Sequence, residues 1–226
     1  MLIVLHTVRY GDTSLIIHGY TEDEGRCSLM LRGAFRPQSG KRRPVSHNVA
    51  LLHPLSILNY MSARNQKGSM SYLKEFSPKY RLYSIREDFH KISVAMFVSE
   101  LLYRTLLHSE RDPELYAFLE NAVLRLEAWE GSSANFHLWF LDHYSAFLGF
   151  PFEKGFTSGF NPFSLRQIDR LATIHDSTFE EAMAITMTGD ERKELVEAVL
   201  RWLEWHTGSR IGLRSVNVLH QISKLG

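Results

Sequence analysis

Cysteine is almost missing from this chain: Cys27 is alone among 226 residues. One thiol excludes an internal disulfide and every zinc site built from several cysteines, and it fits a reducing compartment, with the cytoplasm as the default. Long apolar runs are missing too. None approaches the roughly 18 residues that a membrane span requires, and the opening Met-Leu-Ile-Val-Leu reaches His6 and Arg9 without a basic leader, so a soluble, unexported protein is expected. The eleven histidines include no pair at the i, i+4 spacing of a helical metal site. Gly33 to Lys41 superficially suggests a phosphate loop but continues Gly40-Lys41-Arg42, without the required Ser or Thr. There is no nucleophile elbow and no convincing acid–base pair. Glu22, Asp23 and Glu24 cluster at a turn, where a solvated hairpin tip explains them as well as catalysis does. Neither an enzyme nor a metal or other cofactor is expected.

One further absence is local. No Asp or Glu occurs between Glu24 and Glu75, yet Arg26, Arg32, Arg36, Lys41, Arg42 and Arg43 fall within eighteen residues of that stretch. Cations with no carboxylate neighbour in sequence call for an external anion. The apolar run Leu29 to Leu31, then Gly33 and a loop holding Pro37, Gly40 and Pro44, describes a strand ending in a basic loop. That arrangement suits a polyanionic backbone better than a small ligand. Binding to about six phosphates of a single strand would give a log–log salt slope near −4. The bland alternative is a solvated surface loop.

The net charge of +1 hides an asymmetry, because residues 1–81 carry 12 Lys and Arg against 5 acids while residues 82–226 carry 14 against 20. Two domains with different tasks are expected: residues 1–80 for nucleic acid, and residues 81–226 as a helical domain for partner docking.

The first 80 residues have strand-like spacing. Candidate strands run Leu2 to Tyr10, Ser14 to Tyr20, Cys27 to Arg32, Ala50 to Met61 and Met70 to Tyr80, with Gly11-Asp12, Asp23-Glu24-Gly25 and Gln66-Lys67-Gly68 as turns. Ile16 and His18 alternate with Leu15 and Ile17, so that strand is covered on both faces. Pro54 marks a bend or an edge. Five short antiparallel strands have the size of an OB-fold barrel, whose surface binds single strands through basic grooves and stacking rings. Tyr10, Tyr20, Phe35, Tyr60 and Tyr72 are the available rings, although filling the barrel or covering its rim accounts for most of them. Cys27, beside Arg26, reads as a small packed residue rather than a reactive thiolate.

Beyond Ser84 the apolar period becomes helical. Helices are expected from about Glu87 to His108, from Asp112-Pro113 through Trp129, over Phe136 to Phe147 with a stop at Gly149, and over Leu213 to Leu225. Two more start at capping-box spacings, Ser177 with Glu180 and Thr188 with Glu191, the latter ending at Gly208. The connector 149–163 is rich in Phe, Gly and Pro and cannot be regular helix. The fold class is therefore α+β in two domains: a five-stranded OB-fold barrel, then an all-helical domain.

Taken in order, His6-Thr-Val-Arg-Tyr-Gly-Asp-Thr-Ser-Leu-Ile-Ile, Tyr20-Thr-Glu-Asp-Glu-Gly-Arg, Leu31-Arg-Gly-Ala, Leu52-His-Pro-Leu-Ser-Ile-Leu, Ser99-Glu-Leu-Leu-Tyr-Arg, Asn135-Phe-His-Leu, Leu148-Gly-Phe and Leu213-Arg-Ser-Val-Asn-Val-Leu resemble the bacterial recombination-repair family RecO. The resemblance implies an OB-fold followed by helices, without catalytic turnover. It implies binding of single- and double-stranded DNA, annealing of complementary strands, and joint action with RecR to help RecA replace single-stranded-DNA-binding protein (SSB) on gaps, in the cytoplasm at the nucleoid. The cations from Arg26 to Arg43 fall where the family contacts DNA. The family also receives the acidic tail of SSB on its helical domain, for which Arg104 or Arg125 could supply a cation. Many relatives hold a four-cysteine zinc site after the Leu-Gly-Phe motif, but the matching connector here has no cysteine, so the metal is expected to be absent and Phe150, Phe152, Phe156, Phe160 and Phe163 to stiffen the region by burial. The reading of a different class is a non-enzymatic scaffold whose basic loop binds RNA or an acidic protein.

Overall fold

A computed structural model of the chain describes residues 1–35, 49–64, 70–107, 110–152 and 160–223. Five strands, β1 (Leu2–Tyr10), β2 (Ser14–Thr21), β3 (Gly25–Leu31), β4 (Ile57–Ala63) and β5 (Ser71–Pro78), form a closed barrel in the order β1-β2-β3-β5-β4. Antiparallel ladders join β1–β2, β2–β3, β4–β5 and β1–β4, while β3 and β5 run parallel and share the registered pairs Leu29↔Ser71 and Met30↔Tyr72. This is the OB-type barrel that the strand spacing implied.

Alternation decides what the barrel encloses. Leu2, Val4, Leu15, Ile17, Leu29, Leu31, Leu58 and Leu73 point inward with Leu52, and Cys27, Tyr60 and Phe76 pack partly against them. Burial pushes the Cys27 thiol up to about 11, so it stays protonated and inert at neutral pH. Gly19 stands opposite Val4, and a Cβ there would lie 2.3 Å from Leu2 Cδ1 and 2.7 Å from the Ile3 carbonyl oxygen, which is why β2 carries glycine at this point. β4 begins later than its apolar run suggests. A 3-10 turn occupies Val49–Leu51, and Pro54 followed by Leu55 at φ 62° breaks the extended path before Ile57.

Among the described residues eight helices follow: α1 (Tyr83–Glu87), α2 (Phe89–Thr105), α3 (Pro113–Ala128), α4 (Phe136–Phe147), α5 (Leu165–His175), α6 (Phe179–Ala184), α7 (Gly189–Thr207) and α8 (Ser215–Ser223). The chain divides into two compact units, residues 1–83 with 102–123 and residues 84–101 with 124–226. Within the first, Lys79 Nζ meets Glu120 Oε1 at 2.6 Å, and the fully buried Tyr20 donates its hydroxyl to the Glu110 carbonyl.

The second unit is built on aromatic packing at α4. Phe136 and Trp139 both meet the Phe179 ring edge-on, at 6.0 and 5.0 Å. Asn135, just before α4, donates through its side-chain amide to the carbonyls of Ala182, Met183 and Ile185, so it satisfies orphan acceptors where α6 ends. The almost fully buried Lys91 donates to the Ser84 hydroxyl and to the Glu127 and Trp129 carbonyls. Of the connector rings, Phe152 and Phe163 are buried edge to face, Phe150 packs on Trp202 and His206, and Phe160 stays exposed against Trp205. Phe156 lies outside the described residues.

Candidate nucleic-acid interface

The outer face of β3 carries Arg26, Ser28, Met30 and Arg32, because Cys27, Leu29 and Leu31 take the inner positions. Arg26 and Arg32 therefore share a face, but six residues of strand hold them about 20 Å apart. Their surroundings differ completely. The Arg26 guanidinium lies 4.6 Å from the Tyr103 ring centre at the end of α2, one of its terminal nitrogens is buried without a hydrogen-bond partner, and burial lowers its pKa. His18, which hydrogen-bonds Ser28 at 2.7 Å, and His6 pack at a tilt against the same tyrosine. Burial, then the Arg26 charge, then His6 hold the His18 pKa below its usual value. Arg26 is thus a covered cation in an aromatic slot.

Arg32 is exposed. Its guanidinium stacks 4.1 Å from the centre of the Tyr72 ring and donates to the Tyr72 hydroxyl. Lys74, the next outward residue of β5, brings its ammonium within 6.0 Å of the same ring centre. The parallel register Met30↔Tyr72 sets Lys74 in step with Arg32, so one tyrosine carries two cations from neighbouring strands. Close in sequence, Phe35 donates its N–H to the Thr13 carbonyl and lies under the Arg9 guanidinium at 5.1 Å, and Arg9 donates to the Asp12 backbone carbonyl. Among the described residues no carboxylate pairs with Arg9, Arg32 or Lys74, in contrast to Lys79 with Glu120.

Of the six cations predicted on the strand and loop, the structure gives Arg32 an accessible place and Arg26 a covered one. Arg36, Lys41, Arg42 and Arg43 lie outside the described residues. Arg104 is exposed, 6.0 Å from the Tyr103 ring, in the first unit, whereas Arg125 in the second stacks over Phe179 at 5.2 Å with Glu180 at 3.9 Å. Among the candidate rings Tyr20 is fully buried and Tyr60 packs against the barrel core, leaving Tyr10, Phe35 and Tyr72 accessible. Burial first, then nearby Cys27 and acids, pushes the Tyr60 hydroxyl up to about 12.

Residues 2–80 match the family described as Recombination protein O N terminal, and residues 86–153 match Recombination protein O C terminal. The chain belongs to the RecO family. It is 35% identical to the DNA repair protein RecO of Phocaeicola vulgatus over 147 residues, which is 65% of this chain but 58% of that relative, so the match spans less than two thirds of it. Similarity to the DNA repair protein RecO of Christiangramia forsetii is lower, 25%, but extends over 97% of this chain and 96% of the relative. The same protein of Bacteroides fragilis is 37% identical over 65% of this chain and 58% of its own length. This RecO chain adds two cations that sequence reasoning overlooked. Arg9 lies outside the acid-free stretch, three residues before Asp12, and Lys74 lies at its far end beside Glu75, away from the dense run Arg26 to Arg43, so a search for clustered cations passes over both. Outward strand parity shared with Arg32 was the signal for Lys74.

Proposed function

We propose that this RecO chain binds single-stranded DNA on the outer surface where β3 and β5 meet. Arg32 and Lys74 hold backbone phosphates, Tyr72 and Phe35 offer faces to bases, Arg9 adds charge, and Arg36, Lys41, Arg42 and Arg43 extend the track. The single observation that carries this reading is the Tyr72 ring flanked by Arg32 and Lys74 with, among the described residues, no carboxylate paired to either. Two permanent charges beside a π-face are what a polynucleotide with alternating phosphates and bases requires.

Bound strands approach each other with their repulsion screened, so annealing follows without a covalent step. In keeping with the family resemblance, the protein acts as a non-enzymatic mediator, binding double-stranded DNA as well, and with RecR it helps RecA displace SSB from gapped DNA. The test is fluorescence anisotropy of a labelled oligonucleotide across a salt series, with an annealing assay alongside. Charge reversal of Arg32 and Lys74 to Glu should weaken binding at moderate salt by more than tenfold and slow annealing in parallel. Unchanged affinity would overturn the site. Tighter binding to RNA of the same sequence would favour an RNA-binding scaffold instead.

A further inference from the structure

The helical unit contains a small cavity that the DNA-binding surface does not use. It is lined by His90 and Ser93 of α2, Ser133 and His137 at the start of α4, Arg192 of α7 and His220 of α8, together with apolar groups, and no Asp or Glu among the described residues lines it. Its volume, about 20 Å³ at the centre of a water-sized sphere, exceeds what one water molecule needs.

Three features there concern negative charge. Arg192 is half-buried and oriented, because its Nε donates to Asn135 Oδ1 at 2.9 Å, and among the described residues no carboxylate takes its terminal nitrogens. His137 is almost fully buried, and its Nδ1 has no hydrogen-bond partner. The third is the start of α4. Asn135 occupies the N-cap position but makes no side-chain capping bond, because its Oδ1, the atom that would accept it, is taken by Arg192 Nε while its amide N–H groups hold the carbonyls at the end of α6. The first turn of this 12-residue helix therefore has no side-chain cap beside the cavity; its Phe136 and Leu138 N–H groups donate to the Ser133 and Asn135 carbonyls, and what it offers an anion is the positive end of its dipole. A guanidinium, a ring nitrogen that donates in its Nδ1–H tautomer and the positive end of a helix all favour the same occupant.

We propose that this cavity binds a compact oxyanion, a carboxylate or phosphate group seated between the Arg192 guanidinium, the His137 ring and the N-terminus of α4. Arginine matches either group through paired N–H donors, and a helix N-terminus stabilises both. The room suits the charged head alone, and whatever is attached to it leaves past the half-exposed His90 and Arg192. Burial, then Arg192, then His220 hold the His137 pKa down at about 3, so without a ligand the ring is neutral at physiological pH. The ionisable groups facing that ring are His90, Arg192 and His220, and an oxyanion opposes the Arg192 effect and makes the ring easier to protonate.

The experiment is an NMR titration of the full chain with sodium phosphate and, separately, sodium acetate, each against sodium chloride at equal ionic strength, following the histidine ring signals. Saturable shifts at His137 and His220, with those of His6 and His18 unmoved, are expected with phosphate or acetate, and the stronger response identifies which oxyanion head the site takes. Shifts that merely track ionic strength, or that chloride reproduces, overturn the proposal. Arg192→Gln should weaken the saturating anion by about tenfold or more, whereas Arg192→Lys should cost less, since it keeps the charge and loses the fork. An Arg192→Gln protein that folds and binds with unchanged affinity also overturns it. If that variant does not fold, the wild-type titration decides alone.

Discussion

Arg26 and Arg32 share a strand face and a residue type, yet one is covered and the other is offered to solvent. Sequence could place both on the outer face of β3, because alternation with Leu29 and Leu31 is visible in the letters. It could not show Tyr103 arriving over Arg26, which depends on a residue 77 positions further along the chain. Arg26→Ala is therefore expected to lower the urea midpoint while leaving the salt slope of DNA binding near wild type. Tyr72→Ala should do the reverse, weakening single-strand binding by about 1–3 kcal/mol, the usual worth of a stacked base, with little change in the melting curve. Tyr72→Phe keeps the face and should retain most of the affinity. The ring candidates Tyr20 and Tyr60 failed as surface groups because each carries enough apolar area to be drawn inward, and composition does not distinguish the two outcomes.

At the level of elements, caps were the most legible feature. Thr188 accepts from the Glu191 N–H and Glu191 accepts from the Thr188 N–H, as their spacing implied. One residue of error entered at the helix before it, where Thr178 and Glu181 form the box and the Ser177 hydroxyl donates instead to the Thr173 carbonyl. α5 escaped notice altogether, although Ser164 and Gln167 carry a capping box of their own, because the Phe-rich connector ahead of it drew attention to burial rather than period. The sharp cost of filling Gly19 was invisible too, since it arises from the Ile3 carbonyl across the ladder. Gly19→Ala should destabilise the barrel by about 1–3 kcal/mol as overpacking against backbone, measured by chemical denaturation. Asn135→Ala strands the acceptors at the end of α6 and should cost a similar ~1–3 kcal/mol.

For the molecule as a whole, the charge asymmetry and the succession of a barrel and then helices were readable from composition and period, whereas the grouping of residues 102–123 with the barrel was not. Its response to acid was not, because that depends on which histidines the fold encloses. His137 titrates at about 3 in the folded chain against 6.5 for an exposed histidine, so the unfolded state binds more protons between those values. Its contribution to stability is complete above pH 6.5 and drains away as pH falls toward 3. The advantage of wild type over His137→Asn should shrink on acidification by up to about 1.4 kcal/mol per pH unit, in urea titrations at successive pH values. Added phosphate should blunt that loss if the neighbouring cavity holds an oxyanion.

The parallel junction of β3 and β5, two registered pairs long among the described residues, is a narrow weld in an otherwise continuous wall. A polynucleotide that grips Arg32 on one side and Lys74 on the other straddles that weld and has to be released before the wall can gape there. At a hundredfold excess over its dissociation constant, such a clasp adds about 2.7 kcal/mol against opening. Amide hydrogen exchange at residues 29–30 and 71–72 should slow accordingly when DNA is bound, and protection confined to one strand would mean that the clasp does not close.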